Sequence, residues 1–235
     1  MGVGTNKIMI KEIGLTLATI LVLFIGGYSD GLNDAKEHTA RGVAYAMKGE
    51  YDKAIENYSK AIEINPKDFE TYLLRGVAYA AKGEQHKAIE NYSKAIEINP
   101  KDSVAGAYFH RGVAYLELGK YDMAIQDYSK AVEIDPKDSK TYVLRGVAYA
   151  AKGEHHKAIE DYSKAITIDP NNFKTYTARG VAFVEIGEYG MAIKDYSRAI
   201  ELNPKDSKAY ILRGVAYRKN GDYKKAAADE RKCRR

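Results

Sequence analysis

The sequence predicts an all-α solenoid built from stacked antiparallel helix pairs, and three observations carry that prediction. The words Arg-Gly-Val-Ala recur at Arg41, Arg75, Arg111, Arg145, Arg179 and Arg213, with steps of 34, 36, 34, 34 and 34 residues. A period of this length marks a stacked-repeat architecture. All five prolines, Pro66, Pro100, Pro136, Pro170 and Pro204, keep the same beat. Each closes a helix, because the residue before proline is pushed out of the helical region. Inside every period, two apolar stripes with helical spacing flank a glycine.

The second repeat shows the pattern most plainly. Asp68 is suited to cap a first helix, along which Tyr72, Gly76 and Tyr79 fall at i, i+4 and i+7. Gly83 then ends that helix, since glycine enters the left-handed conformation without a steric penalty. Ala88, Tyr92, Ala95 and Ile96 form one stripe of a second helix, closed before Pro100. Gly76, Ala88 and Ala95 are small where the helices approach, and Tyr72, Tyr79 and Tyr92 fill the layer between. A single pair has too little apolar surface to offset the entropy of ordering it, so neighbouring repeats must share faces.

An aromatic residue, Gly76, Tyr79, Gly83, Ala88, Tyr92, Ala95 and Pro100 at these spacings resemble the tetratricopeptide repeat. The resemblance spans about residues 35–235, as five full repeats (35–68, 69–102, 103–138, 139–172 and 173–206) and a partial sixth with a basic capping helix in 207–235. It implies a right-handed superhelix whose first helices line an inner groove, and a non-enzymatic role in binding proteins. The arginine before each glycine departs from the family, which usually carries leucine there.

Ahead of the repeats, residues 1–12 carry Lys7, Lys11 and Glu12, and 13–27 is a run of 15 residues without a charge. A secretory signal is the first reading, with Gly27-Tyr28-Ser29 offering a cleavage site before Asp30. An uncleaved membrane anchor is the second, although 15 helical residues fall short of a bilayer of ~30 Å. Either reading places the repeats outside the cytoplasm, periplasmic, secreted or anchored on the outer side, with membrane contact only through 13–27. Residues 30–34 read as a polar linker, and His38 as a solvated residue of an outward-facing first helix.

The middle repeats alternate: Gln85-His86 resembles His155-His156, and Tyr121-Asp-Met123 resembles Tyr189-Gly-Met191. Residues 69–138 and 139–206 therefore look like copies of a two-repeat block, with two extra residues near Ser103 and Val104 lengthening one joint. In the sixth repeat Glu230 and Cys233 stand where the second has Tyr92 and Ala95, so this helix ends the stack. Residues 218–235 hold eight basic and three acidic residues, net +5, and the whole chain is also +5. The rest sums to zero, and nucleic-acid binding along the array is not expected.

Neither a catalytic motif nor a cofactor signature is present. The adjacent His155 and His156 project about 100° apart on a helix and cannot share a metal ion. Arg75, Arg111, Arg145 and Arg179 form a periodic series, and Asn91, Asp127, Asp161 and Asp195 precede the second-helix tyrosines in step with them. We expect a structural ladder in which the arginine stems are buried and their heads hydrogen-bond these partners.

By resemblance to the family, the inner groove takes Leu73, Val77 and Ala80, then Phe109, Val113 and Leu116, then Val143, Val147 and Ala150, then Thr177, Val181 and Val184. Family members that clamp a terminal carboxylate use Asn and Lys in the groove, whereas valine follows the glycine in all six repeats here. The expected partner is therefore an apolar or amphipathic protein segment. Packing of these same residues between adjacent first helices is the competing reading. Self-association of the array, or service as an accessory subunit of an envelope or secretion assembly, remain alternatives.

Overall fold

Asx residues start the first helices. Asp68, Asp138, Asn172 and Asp206 accept hydrogen bonds from the backbone N–H of Glu70, Lys140, Lys174 and Lys208, satisfying donors that a helix start leaves orphaned. At the other end Gly83 takes φ +82° and Gly153 φ +78°, where a side chain would be strained. The computed structural model describes residues 30–99 and 105–233. The leader, its cleavage site, the lengthened joint near Ser103 and Val104, and the side chain of Cys233 lie outside the described residues.

Among the described residues there are twelve helices and no strand. Two compact units divide at Gly119 and Lys120. The first contains α1 (Asp30–Met47), α2 (Tyr51–Ile64), α3 (Phe69–Ala81), α4 (Gln85–Ile98) and α5 (Ala105–Glu117). The second contains α6 (Tyr121–Ile134), α7 (Ser139–Ala151), α8 (His155–Ile168), α9 (Phe173–Glu185), α10 (Tyr189–Leu202), α11 (Ser207–Lys219) and α12 (Tyr223–Cys233). Consecutive helices pack within each unit, and first helices also adjoin: α3 touches α1 and α5, and α9 touches α7 and α11. This is the tetratricopeptide solenoid fold, all-α and made of helix pairs.

Helix α1 begins at Asp30, so residues 30–34 are helical rather than a linker. No proline interrupts them, and Leu32, Ala35 and Thr39 keep helical spacing into the periodic stretch that follows. His38 is also less solvated than expected: it is half-buried, with Nδ1 3.5 Å from Asn57 Oδ1 on α2. None of the described helices is long and apolar enough to cross a membrane.

The core is one motif repeated. Tyr58, Tyr92, Tyr162 and Tyr196 are buried on second helices, each beside an alanine of the following first helix: Ala78, Ala114, Ala182 and Ala216. Each ring also lies under a glycine of its own repeat. A Cβ at Gly76 would sit 2.5 Å from Tyr92 Cε1, and one at Gly146 would sit 2.7 Å from Tyr162 Cε1. We expect Gly146→Ala to lower unfolding free energy by about 1–3 kcal/mol, since a buried ring cannot yield that space freely. Urea denaturation against wild type measures it, and an unchanged midpoint would show that the ring can move aside.

The last repeat breaks this motif where the sequence anticipates an end. A Cβ at Gly214 would meet nothing closer than Ala226 O at 3.6 Å. Glu230, at the tyrosine register, turns instead to pair with Arg218. The glycine–tyrosine contact of the other pairs is therefore missing from this one.

Candidate partner-binding surface

The arginines link three helices. On α7, Arg145 Nε and Nη2 donate to Asp161 Oδ2 and Oδ1 on α8, both at 2.8 Å. Its Nη1 donates at 3.1 Å to Ser129 Oγ on α6, the second helix of the preceding repeat. Arg179 repeats the arrangement with Asp195 and Ser163, and Arg213 with Asp229 and Ser197. In the first unit Arg75 reaches Asn91 Oδ1 at 2.8 Å and Ser59 Oγ at 3.0 Å, and Arg111 reaches Ser93 Oγ at 2.9 Å. Asp127 is buried on α6. Each guanidinium also lies over the tyrosine three residues earlier, as Arg145 does over Tyr142 at 5.6 Å.

The serine contact is the part sequence reasoning missed. Its signal was present, since serine follows the second-helix tyrosine at Ser59, Ser93, Ser129, Ser163 and Ser197. Arg41 differs from the series and pairs on the surface with Glu37. Serine stands 16 residues before Arg75, Arg145, Arg179 and Arg213, and 18 before Arg111 across the lengthened joint. For Arg41 the corresponding place falls at residue 25, outside the described residues.

The expected groove residues divide into two sets. Leu73, Val77, Phe109, Val113, Leu116, Val143 and Val184 are half-buried. Of these, Leu73, Val77, Val143 and Val184 pack against core clusters of their own units, as does Ala150. Val147 and Val181 are exposed by 36% and 39%, the fractions that make them free to meet a partner. Thr177 is not a groove residue: it is buried, and its Oγ1 donates to Phe173 O at 3.1 Å, a hydroxyl folding back onto its own helix. The structure adds Ile211 and Val215 on α11, both exposed. Val147, Val181 and Val215 thus recur on three neighbouring first helices of the second unit as an apolar strip.

His110 on α5 is a packed residue that sequence reasoning passed over. Its ring stacks on Tyr92, with centroids 5.7 Å apart and an interplanar angle of 23°, and meets Phe109 edge-on at 5.3 Å. Burial pushes its imidazole down to about 4, from an ordinary value of 6.5, so it is neutral at physiological pH. The unfolded chain takes up this proton below about pH 6.5, while the folded chain resists it down to about pH 4. Stability is therefore lost as pH falls through that window, by on the order of 2 kcal/mol from this group. We expect His110→Leu, with the residue that Leu74 and Leu144 place at the same register, to flatten the dependence. Denaturation midpoints at pH 7 and pH 4.5 check it, and equal acid sensitivity in both proteins would exclude His110.

Helix pairs with a Gly–Tyr layer, an internal arginine ladder and exposed valines on first helices define a helical-repeat scaffold. The chain belongs to the tetratricopeptide repeat family. A family model described as TPR repeat matches residues 42–83, 76–119, 146–187 and 182–221, and models described as tetratricopeptide repeat match 105–138 and 128–160. A crystal structure of MamA protein is similar at 30% identity, with 74% of this chain and 94% of that chain covered and a TM-score of 0.68. YrrB, described as a TPR protein with an unusual peptide-binding site, shares the fold at 20% identity, 75% and 90% coverage and TM-score 0.66. So does pilF of Pseudomonas aeruginosa, at 19% identity, 86% and 90% coverage and TM-score 0.70. No curated protein matches the chain in sequence.

Proposed function

We propose that this chain is an exported, non-enzymatic scaffold that holds an apolar or amphipathic segment of a partner protein against its first helices. The observation that carries this reading is the strip of Val147, Val181 and Val215, exposed at one register of adjacent first helices of the second unit, with Ile211 exposed one turn before Val215. The half-buried Leu73, Val77, Phe109, Val113 and Leu116 of the first unit are apolar at corresponding registers, and in the second Val143 and Val184 flank the strip. Peptide binding by the similar YrrB fold supports a protein ligand. Export rests on the uncharged run 13–27 behind Lys7 and Lys11. The arginine ladder is structural in this reading, since its heads are engaged within the fold.

Affinity capture from the host envelope, comparing wild type with Val147→Lys, Val181→Lys, tests the proposal. Both valines are exposed, so the variant is expected to keep its denaturation midpoint and lose the captured protein. Retention of that protein by the variant would move binding off the strip. Fractionation and the mass of the mature chain test export, and an uncleaved chain in the cytoplasmic fraction would overturn it.

A further inference from the structure

Where the fourth repeat meets the fifth, the second unit contains a cavity of about 370 Å³. Tyr162, Ala178, Ala150, Val181 and Ala182 line it, together with His155 and Glu185. We propose that this cavity takes one imidazole ring, the side chain of a histidine in the bound segment. The source of the ring rests on the groove reading above, while the choice of ring rests on three separate observations.

The first is size. At about 370 Å³ the cavity has room for a side-chain ring together with part of the segment that carries it. The second is a template within the same chain. Two repeats earlier, the register of Ala178 is held by His110, and the registers of Tyr162, Val181 and Ala182 by Tyr92, Val113 and Ala114. There the chain's own imidazole lies stacked on the tyrosine. Alanine at 178 ends at its Cβ, and Tyr162 lines the cavity beside it.

The third observation is polar. His155 Nδ1 is buried and has no hydrogen-bond partner, an arrangement that costs free energy until a ligand completes it. In the first unit the corresponding Gln85 leaves its Oε1 buried and unpartnered as well, but its Nε2 donates to Glu117 Oε2 at 2.5 Å, a link that His155 does not make to Glu185. An imidazole offers one N–H donor and one acceptor nitrogen, so it can donate to the Glu185 carboxylate and complete His155 at its other edge. A hydrocarbon ring can stack on Tyr162 but leaves His155 as it is. Val181 belongs both to the cavity and to the exposed strip, so a side chain of a segment lying on the strip can enter.

Imidazole itself is the probe. We expect NMR of the full chain to show saturable shifts of the Tyr162 and His155 ring signals in the millimolar range. Binding should weaken at least about tenfold for toluene, which cannot hydrogen-bond. It should disappear in Ala178→His, which copies the first unit, and in Ala178→Leu, which fills the space with the residue of Leu144 and Leu212 should histidine disturb folding. Absence of saturation, equal affinity for toluene, or shifts that persist in a folded filled variant would overturn the proposal. Partner capture keeps the two readings apart. If Val147→Lys, Val181→Lys loses the partner while imidazole fails to bind, the strip stands and the ring pocket falls. If imidazole binds as described while Val147→Lys, Val181→Lys retains the partner, the strip falls and with it the bound segment as the source of the ring.

Discussion

Arg145→Met is expected to lower the unfolding free energy by about 3–5 kcal/mol, because it strips the counter-charge from a buried carboxylate. The side chain of Asp161 is only 8% exposed, and both of its oxygens accept from the guanidinium at 2.8 Å. Ser129 loses its donor as well, so the damage spans two repeats. Denaturation of Arg145→Met, Asp161→Asn and the double variant Arg145→Met, Asp161→Leu separates loss of the pair from loss of packing. The double variant should recover most of the stability, since replacing both members of a buried pair by apolar side chains is often neutral. An Arg145→Met protein as stable as wild type would show that the ladder is dispensable.

Tyr196→Ala should cost a similar amount, about 3–5 kcal/mol, by emptying the space between two repeats. Tyr196 is 1% exposed, lies under Gly180 and covers Ala216 of the next first helix. Its loss removes an interface rather than a single contact, and in a stacked array stability is carried by such interfaces. The expected signature is a lowered midpoint with early exchange of amides in α11 and α12, beyond the missing ring. Tyr196→Phe keeps the ring and should change little. A Tyr196→Ala protein that unfolds in one step at the wild-type midpoint would contradict the nearest-neighbour account.

The recurrence of Arg-Gly-Val-Ala, the glycine stops and the proline beat determined the helix-pair repeat, its period and its class, because these residues act through their own backbones within a few positions. Aspartate in step with arginine likewise made the ladder's second-helix partner legible. What lay beyond the sequence depended on distances across repeats. Serine's share in the ladder needed the second helix of one repeat to face the arginine of the next. The division of the valines needed the neighbouring helix in place: Val77 and Val147 occupy one register, and Val77 packs against the cluster of Ala88, Tyr92 and Ala114 while Val147 is 36% exposed. His110 and Ala178 make the same point most sharply. At one register, the first lays an imidazole on Tyr92 and the second borders a cavity beside Tyr162. Periodicity determines which face a residue occupies, whereas the volume left over beside it depends on every side chain that packing brings to that face.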